Sequence, residues 1–197
     1  MRSYYIGWYK MEQTRRMRKK EQTHLSIMHS AQVQFEQQGI NNVTIEQIAE
    51  GADVSRSTFF SHFDSLDALL TEIAAQEVDD IFYAIKKNES EPSIEAVFRQ
   101  LNSDTYPYPY LMGELFMRNI LAPGKSAFAR VDELLQAEIE KGEYSKMREC
   151  FTPKDISAFI FGAYFGLIFQ KFMNDEPFEN PDETNDKIQK LIKFYKH

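Results

Sequence analysis

The sequence predicts an all-α protein of about nine helices. Three observations carry this. Apolar residues recur at helical spacing along the chain, as at Ile27, Ala31 and Phe35. Alternating β-branched runs and Asn-Gly or Asp-Gly hairpin turns are absent from the sequence. The apolar stretches are separated by helix-ending residues: Gly39, Pro107 and Pro109, Pro123-Gly124, Gly142, Thr152-Pro153, and Pro177 to Pro181.

The first helix is expected over 12–38 and ends at Gly39, since a glycine just past a helix takes the left-handed backbone that closes it. Thr44 caps the second helix, and Gln47 three residues on completes a capping box. Ile45, Ile48 and Ala49 face inward, and the short Ala49 is expected to let two helices approach closely. A tight turn follows, Gly51-Ala52-Asp53-Val54. Asp53 sits where positive φ is needed, which Asp tolerates better than most residues. Ser55 caps the third helix, and Phe59 and Phe63, at i and i+4, anchor its buried face. Asp64 or Ser65 caps a long fourth helix to about Lys87, with Leu66, Leu69, Leu70 and Ile73 inward. Asn88 to Pro92 breaks the pattern. Further helices are predicted at 93–103, 108–121, 125–142, 153–174 and 183–195. Two short helices joined by a tight turn over 44–63 have the geometry of a helix-turn-helix, whose second helix can lie in the major groove of duplex DNA.

A chain of 197 residues can bury a full core, as one large domain or two small ones. Its formal net charge of -7 argues against a nucleic-acid partner only until its distribution is examined. Residues 1–64 hold eight basic and seven acidic residues, so nearly all the excess acid lies beyond them. Residues 10–21 hold six basic residues (Lys10, Arg15, Arg16, Arg18, Lys19, Lys20) against Glu12 and Glu21. A basic arm on an acidic body suits a protein that meets phosphate at one end, although a solvated tail has the same composition.

Cys150 is the only cysteine, so one chain can form neither a disulfide nor a cysteine-based zinc site, as fits a reducing cytoplasm. His24, His29 and His197 lack ligand partners at useful spacing, and no metal is assigned. Tyr4, Tyr5, Ile6 and Trp8 are too short an apolar stretch for a signal peptide; residues 1–10 read as an extension, with Met11 an alternative start. The apolar stretch Ile156 to Phe169 is too short to span a bilayer and reads as a buried helix, so no membrane partner is expected. With no nucleophile–base pair, metal cluster or phosphate loop in the sequence, neither an enzyme nor a cofactor is expected.

The string Ile27, Ala31, Phe35, Gly39, Thr44, Ile48-Ala49, Ala52, Val54-Ser55, Thr58-Phe59, His62-Phe63, Ser65 and Leu69-Leu70 resembles the TetR family of bacterial transcriptional regulators. The likeness covers roughly a quarter of the chain; the acidic remainder carries no motif of its own. The resemblance implies an N-terminal three-helix DNA-binding domain (21–66, preceded by the basic extension and start of the first helix at 1–20). A long helix would join it to a ligand-binding and dimerisation domain over 67–197. It also implies a homodimer on a near-palindromic operator in double-stranded DNA, with a small-molecule effector changing the spacing of the two reading heads. Three positions depart from the family pattern. Phe60 stands where a tyrosine is common, Leu66 where a lysine is frequent, and Ser57 where a glycine is frequent. The first two remove phosphate contacts, which the arm at Arg15 to Lys20 is expected to offset. Deleting residues 1–20 is then expected to weaken operator binding and flatten its salt dependence.

Candidate DNA-contacting residues follow. Arg15, Arg16, Lys19 and Lys20 would meet phosphate, and Thr44 would cap a helix whose N-terminus faces it. Arg56 opens the third helix, where a guanidinium can take guanine O6 and N7 together. Ser55, Ser57 and Thr58 would meet bases or phosphates, Phe60 lies on the same helix, and His62 would donate to a phosphate. In the body, Tyr106, Tyr108, Tyr110, Phe116, Phe161, Tyr164 and Phe165 are candidates to line a pocket for a hydrophobic ligand, with the Tyr-Pro alternation as an irregular gate. For any one of these aromatics alone, core packing is the better explanation. The helix 153–174 is apolar nearly all round. Phe159, Gly162, Gly166 and Phe169, with Ile188, Leu191, Ile192 and Tyr195 of the last helix, are candidates for a four-helix dimer interface. The function expected is a cytoplasmic repressor released by a small hydrophobic ligand. The alternative is a helical dimeric interaction protein whose reading head docks a protein.

Overall fold

The computed structural model describes residues 15–87, 94–121, 128–142 and 144–196. The extension at 1–10, the start at Met11, the opening of the first helix at 12–14, the break at Asn88 to Pro92 and the Pro123-Gly124 stop lie outside the described residues. The described residues form ten α-helices and a 3₁₀ turn, with no strand. They divide into two compact units, Met1–Thr71 and Glu72–His197.

The first unit holds α1 (Arg15–Gln38), the 3₁₀ turn Ile40–Asn42, α2 (Ile45–Gly51), α3 (Arg56–Phe60) and the start of α4 (Leu66–Lys87). Gly39 ends α1 at φ 78, with its N–H on the Phe35 carbonyl at 2.8 Å. Ile27, Ala31, Phe35, Ile48, Phe59, Phe63 and Leu69 are buried and form the centre of the unit. A side chain buried to this degree contributes about 1.5–3 kcal/mol. Ile45 is only half-buried, and Val43, just before the cap, is buried instead.

The close approach of α1 and α2 is made at Gly51. A Cβ on Gly51 would overlap Ser30 Oγ and come within 2.9 Å of Gln34 Nε2. Ser26, Ser30 and Gln34 lie one helical turn apart on α1, and each donates to a carbonyl at the far end of α2 or just past it. Ser30 Oγ donates to Ile48 O at 2.9 Å, Gln34 Nε2 to Gln47 O at 2.7 Å, and Ser26 Oγ to Ala52 O at 3.4 Å. A polar stripe on α1 thus ties the two helices together, its Ser30 bond adding to the one that Ile48 O already accepts from Ala52 N at 3.0 Å.

The second unit holds the rest of α4, α5 (Ile94–Thr105), α6 (Pro109–Leu121), α7 (Ala129–Lys141), α8 (Ser145–Arg148), α9 (Pro153–Met173) and α10 (Pro181–Lys196). The four-residue α8 is too short for an apolar period to reveal it. Helix α9 begins in a capping box, with Thr152 N and Oγ1 donating to Asp155 Oδ2 at 2.9 and 2.6 Å. These bonds hold the Asp155 carboxyl below its usual range.

Helix α9 runs 21 residues, matching the predicted helix 153–174 and extending past both ends of the apolar stretch 156–169, and is long and apolar enough to cross a membrane. Here it packs on α6, α7 and α10, with Ile156, Ile160, Tyr164 and Ile168 buried on one stripe. Helix α10 packs on α5, α8 and α9. Ile188 and Ile192, expected at a dimer interface, are instead fully inside this core. Their stripe is covered by helices of the same chain, so neither side chain can meet a partner.

Candidate nucleic-acid interface

The loop before α3 and its first turn are built by two caps and one left-handed residue. Thr44 Oγ1 accepts from Gln47 N at 3.3 Å, and Gln47 Oε1 accepts from Thr44 N at 2.8 Å and from Thr44 Oγ1 at 3.0 Å. The Thr44 hydroxyl proton is therefore committed within the cap. Asp53 takes φ 54 in the turn, as its position required. Val54 N reaches back to the Ala49 carbonyl at 2.9 Å and closes it.

Ser55 then caps α3, accepting from Thr58 N at 3.1 Å. Its Oγ also lies 2.8 Å from both Ser57 Oγ and Thr58 Oγ1. Three hydroxyls sharing two such bonds retain one proton and several lone pairs for an outside partner. Ser55, Arg56, Ser57 and Phe60 are exposed and Thr58 is half-buried, so the first turn of α3 is a solvent-facing polar row. Phe59 is fully buried beneath it, with Phe63 a turn later at 5.8 Å between ring centroids. Phe60 stands on the edge of Phe59 at 5.5 Å and leaves 40% of its surface exposed.

Arg56 is held from two sides. Its Nη1 pairs with Glu46 Oε1 at 2.7 Å, and its guanidinium carbon lies 5.5 Å from the Phe60 ring centroid. Glu46 sits in the first turn of α2 and was not among the sequence candidates. The pair spans ten residues across two elements, so no local spacing rule reveals it.

Arg15, Arg16, Lys19 and Lys20 are all exposed on the first turns of α1. This stretch is helix, not loose arm. Lys20 acts electrostatically on His62, which lies just beyond α3. The His62 ring is 5.5 Å from that of His24, and His24 stacks on Phe63 at 4.4 Å. Burial, then the charges of His24 and Lys20, push the His62 imidazole below its ordinary value. His62 Nδ1 is buried with no hydrogen-bond partner among the described residues. The neutral ring with its proton on Nε2 leaves no buried donor unsatisfied, and it keeps a donor for a phosphate.

The aromatic candidates of the body are largely packed on one another. Phe116 and Phe165 stack with centroids 3.3 Å apart, and Tyr164 lies 5.1 Å from Phe165. Tyr164 is fully buried, and its OH donates to Thr105 Oγ1 at 2.9 Å. Burial pushes its phenol well above the ordinary range. Tyr106 bonds Thr184 Oγ1 at 2.8 Å. Phe161 is half-buried against Phe98. Tyr106 to Tyr108 form the turn between α5 and α6, while Tyr110 lies in α6. Tyr110 is 61% exposed and borders a cleft of about 360 Å³ with Phe172, Phe178, Lys171, Asp175 and Glu176. Of the seven candidates, Tyr110 alone lines this cleft.

On α9, Phe159 is 41% exposed, Gly162 and Gly166 have no atom of the described residues within 4 Å of where a Cβ would stand, and Met173 is exposed. Phe169 is half-buried beside them. On α10, Leu191 and Tyr195 are half-buried and Phe194 is 76% exposed, a residue the sequence candidates did not include.

Residues 27–73 match the tetR family of bacterial regulatory proteins. No curated protein matches the chain. Among solved structures, a transcriptional regulator (TerR/AcrR family) from Aquifex aeolicus VF5 is 19% identical over 87% of this chain and 98% of its own, with a TM-score of 0.64. The fatty acid degradation regulator FadR from Bacillus halodurans is 14% identical over 86% of this chain and 93% of its own, at 0.66. FadR from Thermus thermophilus, a TetR-family transcriptional repressor in complex with lauroyl-CoA, is 21% identical over 85% of this chain and 92% of its own, at 0.50. At these identities the likeness is one of fold.

Proposed function

We propose that this chain, a TetR-family transcriptional regulator, is a cytoplasmic repressor that binds a near-palindromic DNA operator as a homodimer and is released by a small hydrophobic ligand. One observation carries the DNA-binding part. A capped helix presents Ser55, Arg56, Ser57 and Thr58 outward, next to a basic helix start. Such a row suits base edges and the flanking phosphates. Arg15, Arg16, Lys19, Lys20 and His62 serve as the backbone contacts and Arg56 as the base reader.

The face of α9 that is uncovered among the described residues supports dimerisation. A glycine inside a helix costs about 1 kcal/mol relative to alanine. Gly162 and Gly166 carry that cost with open space beside them, and a partner helix approaching there is the reason we assign. Phe159, Phe169 and Met173 flank the glycines, and Leu191, Phe194 and Tyr195 of α10 supply the second helix of the interface. An effector that enters the body parts the Phe116–Phe165 stack or occupies the cleft beside Tyr110. Because the Thermus neighbour was solved with lauroyl-CoA, a long-chain acyl thioester is the first probe.

The test is an electrophoretic shift of duplex DNA from upstream of the protein's own gene, at low salt, with and without lauroyl-CoA. A retarded band weakened by the acyl thioester supports the reading. Absence of retardation at low salt overturns it.

A further inference from the structure

We infer that Glu46 is a positioning residue for base reading: it holds the Arg56 guanidinium for a base edge and cancels that charge toward phosphate. The inference rests on the DNA-binding reading above and deepens it. Glu46 and Arg56 both lie at the solvent surface of the reading head, with side chains 57% and 64% exposed, yet they pair at 2.7 Å. An ion pair so exposed adds little to stability, so its main consequence is where the guanidinium sits. Phe60 confines the same group from a second direction at 5.5 Å.

Two physical effects follow. The first is preorganisation. A free arginine loses rotamer freedom when it docks on a base, and a guanidinium already held by a carboxylate and a ring loses less. Glu46 occupies one donor on Nη1, and four N–H groups remain, two of which make the fork that takes guanine O6 and N7. The second is charge. Non-specific binding is driven mainly by cations on phosphate. A paired Arg56 carries almost no net charge to the backbone, so unselected DNA gains little from it. Phe60 acts in the same sense, because its ring has no hydroxyl for a phosphate. Glu46 therefore lowers affinity for all DNA while raising the preference for the correct base.

The test uses the full chain. Duplexes are selected from a random pool by the wild type. Binding to the selected duplex, to versions with each guanine replaced, and to unselected duplex is then measured against salt for the wild type, Glu46→Gln, Arg56→Ala and the double variant. Glu46→Gln keeps the size of the side chain and lies on an exposed surface; a thermal melt matching the wild type verifies its fold. Glu46→Gln is expected to lower the preference for one guanine about threefold. It is also expected to strengthen binding to unselected duplex and steepen its salt slope by about one. In the Arg56→Ala background, Glu46→Gln is expected to leave base preference unchanged. Arg56→Lys, which keeps the charge and loses the fork, is expected to lose the same guanine preference while still gripping phosphate. If Glu46→Gln raises affinity for every duplex alike and the selected sequence stays the same, Glu46 merely repels phosphate and the inference is overturned. If the wild type selects no sequence at all, the DNA-binding reading itself fails and takes the inference with it.

Discussion

His62 joins burial to charge at the edge of the reading head. Its imidazole is held below the ordinary value of 6.5 by burial and by His24 and Lys20. The folded state therefore binds a proton less readily than the unfolded chain. Stability is then fully present above about pH 6.5 and declines as the pH falls below it. The urea midpoint of the N-terminal unit should be lower at pH 5.5 than at pH 7.5, and His62→Gln should flatten that difference. An unchanged slope in the variant would assign the pH dependence elsewhere. Gly51 is the other decisive residue of this unit. Alanine there would overlap Ser30 Oγ, and overpacking of this kind costs about 1–3 kcal/mol, readable by chemical denaturation. The caps at Thr44 and Ser55 and the left-handed Asp53 were legible in the sequence because each is decided within three or four residues. The Gly51 contact was not legible, because its partners lie 17 and 21 positions earlier on another helix.

At the scale of elements, the start of α1 is the chain's concentrated source of positive charge. Replacing Arg15, Arg16, Lys19 and Lys20 with glutamine removes four exposed cations, of which Lys20 also acts on His62. If all four meet phosphate, the slope of log affinity against log salt should fall by about 3.6. A slope that stays as in the wild type would make the stretch a solvated helix end only. Helices α9 and α10 show where element-level reading stops. An apolar stripe looks the same in sequence whether helices of the same chain or of a partner cover it. For Ile188 and Ile192 the cover is α5, α8 and α9 of the same chain. For Phe159 and Met173 the described residues supply no full cover.

For the whole molecule, the proposed dimer turns on Gly162 and Gly166. A Cβ added at either position has no described atom within 4 Å, and leucine favours a helix more than glycine does, so the subunit should fold at least as well as the wild type. The partner helix would be held off by the added side chain. Gly162→Leu and Gly166→Leu are therefore expected to sediment as monomers at concentrations where the wild type is a dimer, with an unchanged helical circular dichroism spectrum. Loss of paired binding to both half-sites should follow, because two reading heads must be held one helical turn of DNA apart. A dimer that survives both substitutions would move the interface to another face.

The helical class, the caps, the turn and the family likeness are determined by the sequence alone, because helix spacing and capping act within a few residues. Which apolar stripe is core and which is open, which glycine makes the close contact, and that Glu46 holds Arg56 were decided only by the tertiary structure. Each depends on what stands opposite a residue in space, and in a helical protein that neighbour is usually far away along the chain.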